Sequence, residues 1–221
     1  MKPVQYTVGS SYHAMGGYFS ADAAAIRASL PEGLVPFYSV GGKALIGFHA
    51  IECPASDCGP YSEVVVTIPV RSVKKRWSLK NYIYTLAVSN EEPHQNRTSH
   101  LKLPIFKADI AFRETKTHRI CTVRDSATLD LIMELDSRKP PNRGGKFLRL
   151  LPALKLGPLY SGLGVRIVDL KLSVLIPRMA IRFGSNHLAG KMRQFNVGRQ
   201  WLFVFAPRCR GSLKFSNITE A

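Results

Sequence analysis

The chain has 221 residues with 31 basic and 15 acidic side chains, a formal charge of +16. Its 45% apolar content and 21% charged content describe a globular protein with a substantial core, and they exclude low-complexity disorder as the overall state. No run reaches the roughly 18 apolar residues that a membrane-spanning helix needs, and the start Met1-Lys2-Pro3-Val4-Gln5-Tyr6 has no apolar stretch behind its charge. The expectation is one domain over 1–221, intracellular and cytoplasmic, with no membrane partner.

In chain order, Asp22-Ala23-Ala24-Ala25-Ile26-Arg27-Ala28-Ser29-Leu30 predicts a short helix opened by an acidic residue and stopped by Pro31-Glu32-Gly33. The periodicity then changes to two, predicting strands at 63–70, 82–88, 105–112, 119–124 and 129–135. Turn residues at hairpin-like intervals predict a meandering antiparallel sheet or barrel. Pro140-Pro141-Asn142-Arg143-Gly144-Gly145 predicts a loop, 164–176 and 200–206 further strands, and 184–199 a polar stretch with a short helix. In the strand at 105–112, Phe106, Ala108, Ile110 and Phe112 make one apolar face, while Lys107 and Asp109 belong to the other. That polar row faces either water or a lumen able to hold a small ligand.

Cys53, Cys58, Cys121 and Cys209 have neither C-x-x-C spacing nor the density of a disulfide framework, so free thiols are expected. The six histidines include no H-x-H or H-x-x-x-H pair, and no metal site is expected. G-x-G-x-x-G, Walker A and G-x-S-x-G motifs are absent, which removes support for dinucleotide, ATP and ordinary serine-hydrolase chemistry; no cofactor is expected. Basic residues cluster at 71–76, 138–149 and at Arg208 and Arg210. They raise a nucleic-acid or anionic partner, but no RNA-binding signature accompanies them, and a solvated basic surface is the simpler reading.

The order Ala25-Ile26-Arg27-Ala28-Ser29-Leu30-Pro31-Glu32-Gly33-Leu34, then Gly59-Pro60-Tyr61-Ser62-Glu63, then a strand over 82–90 and Leu103-Pro104 opening another, resembles the acetoacetate decarboxylase superfamily over about residues 20–135. The resemblance implies an α+β, mainly antiparallel protein: a cone-shaped β-barrel with a closed internal cavity, a few flanking helices and a homo-oligomeric assembly. It also implies a lysine just after the motif proline that forms a Schiff base with a β-keto acid, its amine kept reactive by desolvation or a cationic neighbour; the family is itself a standard example of that device. Here Ile105 and Phe106 follow Pro104, and neither forms an imine. Glu63 matches the glutamate of the Tyr-x-Glu motif, a cavity glutamate falls at or near His49, the family's early arginine falls near Tyr12, and the Gly-Arg-Glu turn becomes Asn96-Arg97-Thr98.

Two catalytic readings follow. Lys107, one pleat beyond Ile105 on the same strand face, is the candidate for a relocated Schiff base, although Asp109 beside it favours the ammonium form and a structural role. The other reading abandons decarboxylation: Glu63 acts as general acid or base on a carbonyl substrate, and His49 and Tyr61 supply a second proton-transfer group or a hydrogen bond to a developing enolate. Such a site suits enolisation, aldol condensation with dehydration, or cyclisation of a polyketide-like compound in secondary metabolism. Arg97, Ile105, Tyr12 and Asp109 complete the candidate substrate contacts. Each residue also has an ordinary alternative: a paired carboxylate for Glu63, wall or packing residues for His49 and Tyr61, and a turn arginine for Arg97. A non-catalytic ligand- or nucleic-acid-binding protein on the same barrel is the reading from a different class.

Overall fold

The computed structural model describes residues 5–6, 11–55, 59–74, 79–90, 104–139, 163–165, 171–174, 178–209 and 213–215. The first half comprises β1 (Gln5–Tyr6), β2 (Ser11–Asp22), α1 (Ala23–Ala28), β3 (Leu34–Pro36), β4 (Ser39–Val40), β5 (Lys43–Ala55), β6 (Tyr61–Ser72) and β7 (Lys80–Val88). Then come β8 (Ile105–Glu114), β9 (His118–Asp125), β10 (Leu131–Arg138), β11 (Leu163–Val165), β12 (Lys171–Val174) and β13 (Met179–Phe183). The described chain closes with α2 (His187–Arg193), β14 (Gln200–Cys209) and β15 (Leu213–Phe215).

The helix predicted from the alanine run forms as α1. The Asp22 carboxylate caps it by accepting the Ala25 N–H at 2.9 Å, and Gly33 takes φ +81° in the turn beyond its end. Its one fully buried residue, Ile26, inserts between β2, β3 and β5. The polar stretch at 184–199 likewise contains α2, capped by Asn186 and anchored through Ala189 and Met192. The loop predicted at 140–145 lies outside the described residues.

Strands β12-β14-β2-β5-β6-β7-β8-β9-β10-β13 form one continuous path, with β3 and β4 on its margins; β1, β15 and β11 form a separate small sheet. The mainly antiparallel sheet expected from the sequence forms, with one parallel junction: β7 and β8 pair through Leu86↔Ile105, Ala87↔Phe106 and Val88↔Lys107. The described strands do not close into a full barrel, since β12 and β13 end the path without pairing to each other.

The path instead folds over on itself along the β7–β8 seam. Phe48 of β5 and Phe183 of β13, six strands apart in sheet order, meet with ring centroids 5.8 Å apart. Between the two halves lies the main core: Met15 and Phe19 from β2, Phe48 from β5, Val64, Val66 and Ile68 from β6, Val123 from β9, Leu135 from β10 and Phe203 from β14. Gln200 ties the margins together, its side-chain oxygen accepting the Arg178 and Met179 N–H groups at 2.6 and 3.0 Å. Those two amides would otherwise be left without partners where the ladder stops.

No helix among the described residues is long and apolar enough to cross a membrane.

Candidate functional site

Residues directly opposite one another on neighbouring strands point to the same face of a sheet. Read through the ladders, the face of β2, β5, β6, β7 and β8 that turns away from the main core carries three successive rows. The first is Tyr18–Gly47–Thr67–Ile83, the second Gly16–His49–Val65–Leu86–Ile105, and the third Ala14–Ile51–Glu63–Val88–Lys107. Tyr61, opposite Cys53, belongs to the row beyond. Thus His49, Glu63, Tyr61 and Ile105, which the sequence nominates from three separate stretches, share one face within a few strand spacings.

The face is covered as well as assembled. Glu63, Thr67 and Asn81 are buried polar groups, and Ile83, Leu86 and Val88 form an apolar cluster with Val65 and Ile105 packed on it. Strand β6 is therefore covered on both sides, which is why Val64-Val65-Val66 is apolar without alternation. At the position where the family resemblance implies an imine-forming lysine, Ile105 contributes its side chain to this apolar floor.

His49 occupies a niche that glycine creates. A methyl group added at Gly47 would sit 2.7 Å from His49 Nε2 and 2.6 Å from Thr67 Oγ1, and one at Gly16 would collide with His49 Nδ1 and lie 2.6 Å from the Phe48 carbonyl oxygen. The imidazole therefore lies across two strand backbones that carry no side chains there. Tyr18 closes the niche edge-on, ring centroids 5.1 Å apart at 67°. Its hydroxyl donates to Asn81 Oδ1 at 3.3 Å, and the Thr67 hydroxyl faces the same phenol without a well-aligned bond to it. Burial pushes the Tyr18 phenol above its usual range and lowers the His49 pKa to about 4, so at neutral pH both are uncharged. His49 nonetheless keeps some accessible surface. A neutral imidazole offers one donor and one acceptor nitrogen.

The remaining nominees are placed as follows. Lys107 ends the Glu63 row, two strand spacings or about 10 Å from it, and is exposed. Asp109 is also exposed, opposite Arg124 on β9. The polar row of β8 thus faces water, while Phe106, Ala108, Ile110 and Phe112 pack into the main core. Tyr12 is a β2 residue opposite Cys209, its side chain outside the described residues; Arg97 lies wholly outside them. Among the described residues no cluster of three or more His, Cys, Asp or Glu side chains suits a metal ion.

Sequence reasoning missed Tyr18, Thr67 and Asn81, and it missed a second polar cluster on the core side. Arg119 of β9, 3% exposed, donates to Glu114 at 2.9 Å, to His13 Nδ1 at 3.0 Å and to Glu52, with its guanidinium 4.9 Å from the Phe112 ring centre. Because guanidinium has only donors, His13 must accept at Nδ1 and carry its proton on Nε2. Lys139 binds the outer oxygen of Glu114 at 3.0 Å, and chiefly that bond holds the Glu114 carboxyl below its ordinary pKa. Every carboxylate of the cluster is engaged, and the group serves to tie β2, β5, β8 and β9 together.

This arrangement of strands defines the acetoacetate decarboxylase-like fold. The chain superposes on the acetoacetate decarboxylase of Legionella pneumophila with a TM-score of 0.65 at 13% identity, covering 98% of this chain and 86% of that one. It is similarly close to MppR, an enduracididine biosynthesis enzyme seen complexed with pyruvate (TM-score 0.61, 11% identity, 98% and 90% coverage). An acetoacetate decarboxylase-like enzyme from Sphingomonas wittichii RW1 matches over 99% of this chain and 95% of its own, at 14% identity and TM-score 0.58. No protein-family model matches the chain, and no curated protein matches it in sequence.

Proposed function

We propose that the chain is a small-molecule enzyme that moves protons on a carbonyl substrate through Glu63 and His49, without a lysine imine. The observation that carries this reading is the ladder register, which sets a buried carboxyl group and a neutral imidazole in neighbouring rows beside an apolar floor where the imine-forming lysine would stand. Glu63 takes a proton from the carbon next to the substrate carbonyl; the C–H electron pair becomes the enolate double bond, and the carbonyl oxygen takes up the negative charge. The N–H of neutral His49 hydrogen-bonds that oxygen. The enolate carbon then attacks a second carbonyl, whose oxygen takes the proton held by Glu63 and becomes a hydroxyl. Glu63, a carboxylate again, takes the second proton of that α-carbon, the C–H electron pair becomes the C=C bond as the hydroxyl departs, and the proton leaves with it as water. Aldol condensation with dehydration, or the same closure within one polyketide-like chain, is the reaction class, with a role in secondary metabolism. MppR, seen also with the condensation product of pyruvate and imidazole 4-carboxaldehyde, shows such a product held by a similar fold.

Proton NMR in D2O tests the first step by following exchange of the α-protons of pyruvate and of neutral ketones. Glu63→Gln is expected to slow exchange by about a hundredfold or more, the usual weight of a positioned acid–base group, and Lys107→Ala to leave it intact. Lys107 shares the Glu63 row, so the competing reading is a displaced Schiff base. Intact-protein mass spectrometry after incubation with β-keto acids and borohydride separates the two: a reduced adduct lost in Lys107→Ala overturns the lysine-free mechanism.

A further inference from the structure

Among the described residues, six of the seven exposed large apolar side chains are Phe37, Tyr38, Val40, Val73, Leu79 and Trp201; the seventh, Leu129, lies on the β9–β10 turn. The ladders place those six at one end of the sheet. Phe37, Tyr38 and Val40 belong to the β3–β4 segment, where Phe37 N–H binds the Pro69 carbonyl near the end of β6 and Val40 pairs with Lys43 at the start of β5. Val73 follows the end of β6 and binds Gly33, Leu79 precedes the start of β7, and Trp201 stands at the start of β14. Trp201 is the extra residue of a β-bulge between Gln200 and Leu202, which turns its indole outward against Tyr38, centroids 6.4 Å apart.

The same end is basic. Lys43, Lys74 and Arg199 are exposed there and Arg71 and Lys80 half-exposed, with Glu32 the exposed carboxylate among the described residues of that end. The charge cluster noted at 71–76 thus has its described members, Arg71 and Lys74, beside the apolar tip. Along β6 the tip is nine residues from Glu63, about 30 Å, so this surface is separate from the candidate site.

We propose that this end of the sheet is a membrane-docking surface that rests on anionic lipid, inserting Phe37, Tyr38, Val40 and Trp201 among the headgroups while Lys43, Lys74, Lys80 and Arg199 meet the lipid charge. The side chains stand out from separate turns rather than lining a groove, so they suit a soft, flat surface. Tyrosine and tryptophan, apolar with one polar edge, are the residues that settle at a bilayer interface, and flanking lysines add attraction to anionic headgroups. A second copy of this chain is a poor occupant, because pairing this end with itself would oppose like charges. The inference is independent of the reaction proposed above.

Co-sedimentation with phosphatidylcholine vesicles, with and without about 30 mol% phosphatidylserine at about 0.1 M salt, tests it. The protein is expected to pellet with the anionic vesicles and stay in solution with the neutral ones. Lys43→Gln and Lys74→Gln should each weaken partitioning about fivefold, the value of ~1 kcal/mol per basic residue at such a surface. The pair Tyr38→Ser with Trp201→Ser, both exposed, should abolish pelleting while leaving the circular dichroism spectrum and melting point unchanged. Vesicle binding that survives the aromatic pair would overturn insertion and leave polyanion attraction alone. Tighter binding to single-stranded RNA, lost with the same pair, would reassign the surface to nucleic acid, and a change of oligomeric state in that pair would make it a self-association face.

Discussion

Acid titration of His49 is the sharpest test of the niche built by Gly16, Gly47 and Tyr18. The ring has an ordinary pKa near 6.5 in the unfolded chain and about 4 in the folded one, lowered by burial. The unfolded state therefore binds the proton first, and the stabilisation from keeping His49 neutral is complete above pH 6.5 and disappears as pH falls towards 4. Integrating the two titrations gives a loss of about 1.4 kcal/mol at pH 5.5 and about 2.5 kcal/mol at pH 4.5 from this residue alone. Urea unfolding of the wild type and of His49→Gln at pH 7.5, 5.5 and 4.5 isolates it, because every other group titrates alike in both proteins. The wild type should lose the additional amount between pH 7.5 and 4.5 that the variant does not. Parallel stability curves, or an imidazole proton resonance titrating near 6.5, would refute the burial on which the neutral His49 rests.

The glycine and margin residues give further predictions. Gly16→Ala places a methyl group against His49 and 2.6 Å from the Phe48 carbonyl oxygen; it should cost about 1–3 kcal/mol in urea unfolding and change the environment of the His49 ring by NMR. Stability unchanged within experimental error would mean the strands have room to spare. Gln200→Ala removes the acceptor for two backbone N–H groups at the β13 margin and should cost about 2–4 kcal/mol, with faster hydrogen exchange at Arg178 and Met179 as its local mark. Retained protection at both amides would show that another acceptor serves them.

Much of the fold is legible in the chain because local chemistry and tertiary environment agree. Asp22 and the alanines specify α1, and β8 through β10 alternate because one of their faces is solvated. What hid β2 and β5 is the site itself: Gly16, Gly17 and Gly47 read locally as loop residues, yet they stand in strands where neighbouring side chains leave no space for a Cβ atom. Glycines set opposite ring side chains on paired strands, Gly16 opposite His49 and Gly47 opposite Tyr18, are the signal for such a niche, but it becomes visible only once the register is known. Tyr18 and Thr67 escaped notice for the same reason, since their meeting depends on the partners of Gly47. Arg119 was missed because an isolated arginine in a strand reads as surface, and only its engagement with Glu52, Glu114 and His13 from three other strands makes burial tolerable. Glu63 and Ile105 were legible through the family resemblance, which supplies an order of motifs that periodicity alone lacks.

The seam between β7 and β8 has a mechanical meaning. Among the described residues two packed leaves share a spine of three residue pairs, and two of those pairs, Leu86↔Ile105 and Val88↔Lys107, end the rows that carry His49 and Glu63. A molecule lodged against that face would lie across the spine and brace one leaf against the other, so its arrival should be felt as slower hydrogen exchange in residues 86–88 and 105–107, while the margins of both leaves breathe as before.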